Sequence, residues 1–178
     1  TSHEHMKIVS ASVAHYRIPL PTVLSDSTHG EMTSSGLVVV RLVDTDGVEG
    51  VGYTYTVNDI GSSAVRTLIE ADLLPLIQGE DPRDIGRLWE KMWWHAHFCG
   101  RGGLLAFAMA AIDIALWDLR GKRAGLPLWR LLGGHRSAGT AYAGGIDLEF
   151  TLEALLAQTD GFLERGFAAI KMKVGRAQ

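Results

Sequence analysis

A single cysteine, Cys99, stands among 178 residues, so an internal disulfide is impossible and the chain fits a reducing, cytoplasmic setting. Runs of basic residues are also missing. With a formal net charge of −3 and no cluster of Lys or Arg, neither nucleic acid nor an anionic membrane is expected as a partner, which leaves a small molecule. No signal peptide or lipidation motif precedes Met6. Thr1 to His5 (TSHEH) reads as a tag remnant, and this explains His3 and His5 better than a metal does. The longest apolar stretch, Leu104 to Leu119, would be a rod of roughly 24 Å at ~1.5 Å per residue, and Asp113 and Asp118 interrupt it. It is no membrane span. A composition of 47% hydrophobic and 21% charged residues excludes disorder and leaves a globular chain of one or two domains.

That apolar stretch is also the strongest element present. Ala106, Ala108, Ala110, Ala111 and Ala115 favour a helix, and the lack of a polar face predicts one buried all round. Gly121 and Gly125 loosen its end, Pro127 starts a short second helix, and Gly133-Gly134 stop that one. Asp113 and Asp118 are expected to bond neighbouring backbone or to pair with Arg120 or Lys122.

Ahead of this helix the pattern is α+β. Lys7 to Arg17 alternates loosely as a strand. Gly36 to Val43 and Val48 to Val57 are clearer strands, joined at Asp46-Gly47 by a hairpin signal, since both residues tolerate positive φ. Pro19 to Ser35 reads as a polar loop of seventeen residues, a length typical of lids or disorder. Gly50 and Gly52 let a ligand or another backbone come close. A helix capped by Asp59 or Ser62 carries Val65, Leu68, Ile69 and Leu73 until Pro75 ends it. A second begins at Asp81-Pro82 and carries Ile85, Leu88, Trp89 and Met92. His95 and His97, two apart on a helix, point to different sides and cannot share a metal. Trp89, Trp93, Trp94 and Phe98 would form a large apolar patch if exposed, so they are expected at a domain interface.

After Gly134 the order becomes strand, helix, strand. Gly139 to Gly144 is extended, and Phe150 to Arg165 places Leu152, Leu155, Leu156, Thr159, Phe162 and Leu163 on one helical stripe. Gly166 caps that helix, and Phe167 to Val174 is the second strand. This is one unit of a parallel sheet or (β/α) barrel. In its second strand Ala168, Ile170, Met172 and Val174 form an apolar face, while Lys171 and Lys173 share the other, their α-carbons ~6.6–7 Å apart. By themselves the lysines suit an exposed basic strand end as well as a site. At a barrel strand's C-terminal end they would be close enough for repulsion to make one a usable base near neutral pH.

The run AAIDIALWDLRGKRAGLPLWRLLGG (Ala110 to Gly134), followed by GFAAIKMKVG (Gly166 to Gly175), resembles the mandelate racemase and muconate-lactonizing family of the enolase superfamily. The resemblance covers nearly everything from Met6 onward. It implies an α+β capping domain at 6–103, a linking buried helix and short helix at 104–134, and at 135–178 the first strand, helix and strand of a (β/α)7β-type modified TIM barrel. A whole barrel needs ~250 residues, and forty follow from Gly139, so a truncated barrel is expected. The resemblance further implies removal of the proton α to a carboxylate, with Mg²⁺ stabilising the enediolate. Lys173 would be the base, and Lys171 would tune it or hold the carboxylate. The metal ligands are expected beyond residue 178, so no metal ligand is assigned here and the chain ending at Gln178 is expected to be inactive by itself. A capping loop over the site makes His29 a substrate contact, against the plainer reading of an exposed histidine. Tyr53 and Thr54 stand where muconate cyclisers carry an acidic residue, as in the racemase and acid-sugar dehydratase group, and are candidate substrate contacts. Dehydration of an acid sugar ranks first, racemisation or epimerisation of a 2-hydroxy acid next, and cycloisomerisation third. A homo-oligomer is expected. The reading of another class is a non-catalytic fragment or scaffold.

Overall fold

The computed structural model describes residues 6–175; the tag reading of Thr1 to His5 lies outside them. The chain divides into two compact units, one comprising residues up to Ile18 with Gly36–His135, the other Pro19–Ser35 with the chain from Arg136 onward.

In the first unit the sheet has the order β1-β2-β3, with β1 Ile8–Asp26, β2 Gly30–Asp44 and β3 Glu49–Val57. The connections are too short for anything but antiparallel pairing. At the expected hairpin turn Gly47 takes φ 79°, and the Asp44 carboxylate accepts from the backbone N–H groups of Asp46 and Val48. Arg123 reaches both Asp44 and Asp46, at 2.6 and 2.8 Å, tying the end of the long helix to this turn.

That helix, α4 (Leu104–Ala124), lies on β3 at very short range. Gly50 and Gly52 make this possible, for a methyl group at either would collide with the carbonyl oxygen of Ala115 or of Ala111. The closely approaching group is thus a helix backbone and not a ligand. Asp118 does what the sequence suggested, accepting from the Val51 N–H at 2.7 Å and pairing with Lys122 at 2.7 Å. Gly125 closes α4 in the left-handed conformation, its N–H bonding back to Gly121 and Lys122. Pro127 then precedes α5 (Leu128–Leu131). Burial of α4 is one-sided. Leu105, Ala108, Ile112, Ala115, Leu116 and Leu119 join Val38, Val40 and Leu42 in the core, but Leu104, Phe107 and Ile114 remain exposed, so burial all round does not hold within this unit.

Three helix boundaries also differ from expectation. Ser62 opens α1 (Ser62–Thr67), but Gly61 occupies the capping position without a side-chain bond, and the Ser62 hydroxyl pairs with Thr56 Oγ1 at 2.6 Å. Pro75 does not end the segment. A wider π turn, Leu68–Leu73, leads into α2 (Leu74–Ile77), which admits a residue that lacks an N–H and whose ring crowds the preceding turn. Asp81-Pro82 sits in a turn, its carboxylate held by Arg83, and α3 (Ile85–His95) begins later at Asp84. Of the aromatic cluster, Trp93 packs against the core, while Trp89, Trp94 and Phe98 are exposed among the described residues. Trp89 stacks on Trp93 with ring centroids 5.0 Å apart, Arg101 lies over Trp93 and Trp94, and Phe98 is 94% exposed.

In the second unit the seventeen-residue loop proves to be the far half of the β1–β2 hairpin. Pro19 and Pro21 sit in β1, where a sheet-edge position needs no N–H from them. Asp26 turns the chain by accepting from the N–H groups of Thr28 and His29, and Gly30 follows at φ 64°. Alternation in Met32, Ser34 and Gly36 was the signal for strand here; the prolines and polar residues hid it. Further on, β4 (Ala143–Gly144) and β5 (Ile170–Lys171) pair in parallel, Ala143 opposite Ile170 and Gly144 opposite Lys171. Between them α6 (Leu152–Glu164) is capped by Thr151, whose hydroxyl accepts from Ala154 N–H. The strand–helix–strand order is as read from the sequence. The strands are shorter, though, and Leu152, Leu156, Leu163, Met172 and Val174 of the expected apolar faces are exposed.

Candidate active site

The chemistry-bearing residues of the second unit gather around Lys173. Its backbone N–H donates to Asp147 Oδ1 at 3.0 Å, and its Nζ lies 3.9 Å from Asp26 Oδ2. Asp147 is only 4% exposed. Gln158 Nε2 approaches its other oxygen at 3.4 Å, and Gly145 leaves room for both groups, since a methyl there would strike them. Ser25, the neighbour of Asp26, makes a parallel bridge with Asp147. Ser25 N–H donates to Ile146 O, Leu148 N–H returns to Ser25 O, and Glu149 N–H donates to Ser25 Oγ. Adjacent residues of β1 therefore meet both ends of Lys173, Ser25 through Asp147 at the backbone and Asp26 at the ammonium.

Asp26 is a concentrated anion. The backbone N–H of His29 at 2.6 Å, together with its imidazole, 2.9 Å from Oδ2, holds the carboxyl down to about 2. His29 is thereby oriented, its Nδ1 donating to Asp26 and its other ring nitrogen turned away. Lys171 is exposed. An open cavity of about 430 Å³ beside Lys173 is lined by Asp147, Leu148, Phe150, Leu155 and Val174.

The unit thus brings together Lys173, His29 and two carboxylates that the sequence reading passed over. Asp26 was legible as the first residue of an Asp-x-x-His-Gly turn. Asp147 had the weaker signal of a carboxylate just after Gly144-Gly145. Tyr53 and Thr54 belong to the first unit. Thr54, 7% exposed, shares the face of Gly50 and Gly52 against α4, while Tyr53 is 56% exposed. With Tyr55, Phe107 and Ile114 they line an apolar groove of about 610 Å³. His95 and His97 do not converge, for His97 Nδ1 donates to Trp94 O at 2.6 Å. Among the described residues no three His, Cys, Asp or Glu gather into a group that could hold a metal, so a magnesium site does not fit them and no step below runs through an ion. None of the described helices is long and apolar enough to cross a membrane.

An α+β unit followed by a parallel strand–helix–strand bearing a Lys-x-Lys end defines the front of an enolase-superfamily enzyme. The chain belongs to the mandelate racemase / muconate lactonizing enzyme family, whose N-terminal domain it matches over residues 8–133. It is 54% identical over 161 residues to the 3,6-anhydro-alpha-L-galactonate cycloisomerase of Streptomyces coelicolor, covering 90% of this chain and 44% of that protein. It is 36% identical to the L-talarate/galactarate dehydratase of Salmonella typhimurium, covering 89% and 41%. Among solved structures it superimposes on a racemase from Streptomyces coelicolor with bound magnesium, with a TM-score of 0.93 and 51% identity over 96% of this chain and 48% of that one. The Salmonella dehydratase liganded with Mg and L-lyxarohydroxamate gives 0.91 and 32% over 98% and 46%. The chain spans less than half the length of these relatives.

Proposed function

We propose that the enzyme of which this chain is part removes the proton α to the carboxylate of an acid sugar, with Lys173 as the base. The observation that supports this reading is that Lys173 follows the parallel strand β5, donates its backbone N–H to buried Asp147, and lines a cavity. The α-carbon–hydrogen bond breaks, the proton passes to the Nζ lone pair, and the electron pair stays on the substrate as an enediolate. Expulsion of the oxygen on the next carbon completes an elimination. The departing oxygen takes up a proton, which balances the one removed from the α-carbon: if it is a hydroxyl, water leaves; if it closes a 3,6-anhydro ring, the ring opens to a free hydroxyl and nothing leaves. Dehydration and cycloisomerisation are then one reaction with free and tethered leaving groups, which accommodates both curated relatives. Lys171 contacts the carboxylate or tunes its neighbour, and His29, Tyr53 and Thr54 contact substrate, Thr54 being the least accessible. Magnesium enters the proposal as cofactor, with ligands from outside the described residues.

The test uses the full-length enzyme with Mg²⁺, offered galactarate and 3,6-anhydro-α-L-galactonate in deuterated water, with α-proton exchange followed by NMR. Lys173→Met, which keeps the bulk and removes the amine, is expected to slow exchange by ~10²–10⁴-fold. Exchange at the wild-type rate would leave the lysines as carboxylate-binding groups and remove the assignment.

A further inference from the structure

We infer that Asp26, in the far half of the β1–β2 hairpin, is a positioning residue for Lys173, setting where its ammonium rests and, through that contact, the pH profile of the reaction. The inference rests on the reading of Lys173 as base. Two contacts from one stretch of strand carry it, since Ser25 bridges to the carboxylate-bearing segment that holds the Lys173 N–H while Asp26 faces the Nζ at 3.9 Å. A lysine clamped at its backbone and offered an anion at its tip has little freedom to swing elsewhere.

The charges around Lys173 can be named. Asp26 faces it from β1, and His29 Nδ1 lies 2.9 Å from the same Asp26 oxygen, Oδ2. Asp147 meets its backbone from the segment after β4, and Lys171 precedes it by two residues at the end of β5. Asp26 is therefore the anion nearest the ammonium, and it stays ionised far into acid because backbone N–H groups and the His29 ring stabilise its charge. An anion held this near the ammonium makes the reaction's pH profile depend on its charge. A fully open loop could not do this. The turn fixes Asp26 through the N–H groups of Thr28 and His29, so the charge is held in place before substrate arrives.

The experiment measures the pH profile of α-proton exchange in the full-length enzyme with Mg²⁺ and galactarate, for wild type, Asp26→Asn and Asp26→Ser. Both replacements keep an oxygen that can accept the turn's N–H groups and remove the charge, and the one that melts cooperatively is used. The rising limb of the profile is expected to move to lower pH by about 1 unit, the low end of what an opposite charge at this range does, because the contact is partly open to water. Asp26→Glu is expected to restore most of the original limb. A merely structural Asp26 would lower the rate and leave the limb where it was, and that result overturns the inference. If Lys173→Met exchanges normally, the base assignment itself has failed; if it is dead while the limb in the Asp26 variants is unmoved, only the present inference falls.

Discussion

The first unit hides aliphatic side chains: Val38, Val40, Leu42, Ile69, Leu88, Ile112 and Leu116 are fully buried in one core. The second hides a different population, Ser25, Ser34 and Asp147 beside Met32, Ala143 and Leu148, and α6 buries no residue completely. The contrast follows the work each does. Apolar burial at ~25 cal/mol per Å² makes a stable platform indifferent to small shifts in position. Hydrogen bonds between buried polar groups contribute less net stability but fix geometry, and a base needs fixed geometry. Family-defining sequence lies mostly in the platform, over residues 8–133, and the proposed chemistry in the strand end it precedes.

The sharpest way to break this contrast is to add one methyl group to each unit. Gly52→Ala drives its methyl into the Ala111 carbonyl, a helix backbone that cannot give way without lifting α4 from β3. A loss of about 3 kcal/mol or more is expected, read as a lower denaturant midpoint. Gly145→Ala meets only the ends of the Asp147 and Gln158 side chains, which can turn aside. Its stability cost should be under about 1 kcal/mol, with the damage appearing instead in exchange activity, because Asp147 holds the Lys173 N–H. Equal stability losses at the two sites would mean that the units do not differ in the way described.

Hydrogen exchange reads the same contrast without mutation. In the 178-residue chain, amides of Ala108 to Leu119 in α4 should be protected at least about a hundredfold more than those of α6 and β5, where short strands and exposed leucines leave little to resist local opening. Similar protection throughout would show that the second unit is as firmly held as the first.

What the sequence disclosed divides along the same line. Periodicity and turn chemistry located the sheet, α3, α4, the Asp46-Gly47 turn and the parallel strand pair, because in the first unit burial and period agree. The far half of the hairpin was misread as loop, since Pro19, Pro21 and a polar tip outweighed a weak alternation. Lys173 was singled out by a two-residue spacing at a strand end, and its proposed role came from the family resemblance. Its partners were not singled out, for Asp26 lies 147 positions earlier in the chain, and no local pattern joins them. Contacts made by single polar residues over such distances leave no periodic trace, so the candidate base could be singled out and its surroundings could not.

The smallest expected effect concerns Asp113, a polar residue inside the apolar platform. Burial pushes its carboxyl above the usual value. A group whose folded value is raised favours the folded state at low pH, where it is neutral in both states, and that contribution is lost as pH rises through the raised value. Asp113→Asn removes the charge and keeps the shape. The variant should match wild type near pH 3 and exceed it at pH 7, by no more than about 0.5 kcal/mol at a partly exposed position. Thermal melts of both proteins at the two pH values measure this. A variant less stable at pH 7 would show that the Asp113 carboxylate has a stabilising partner, as Asp44 has in Arg123 in the same unit.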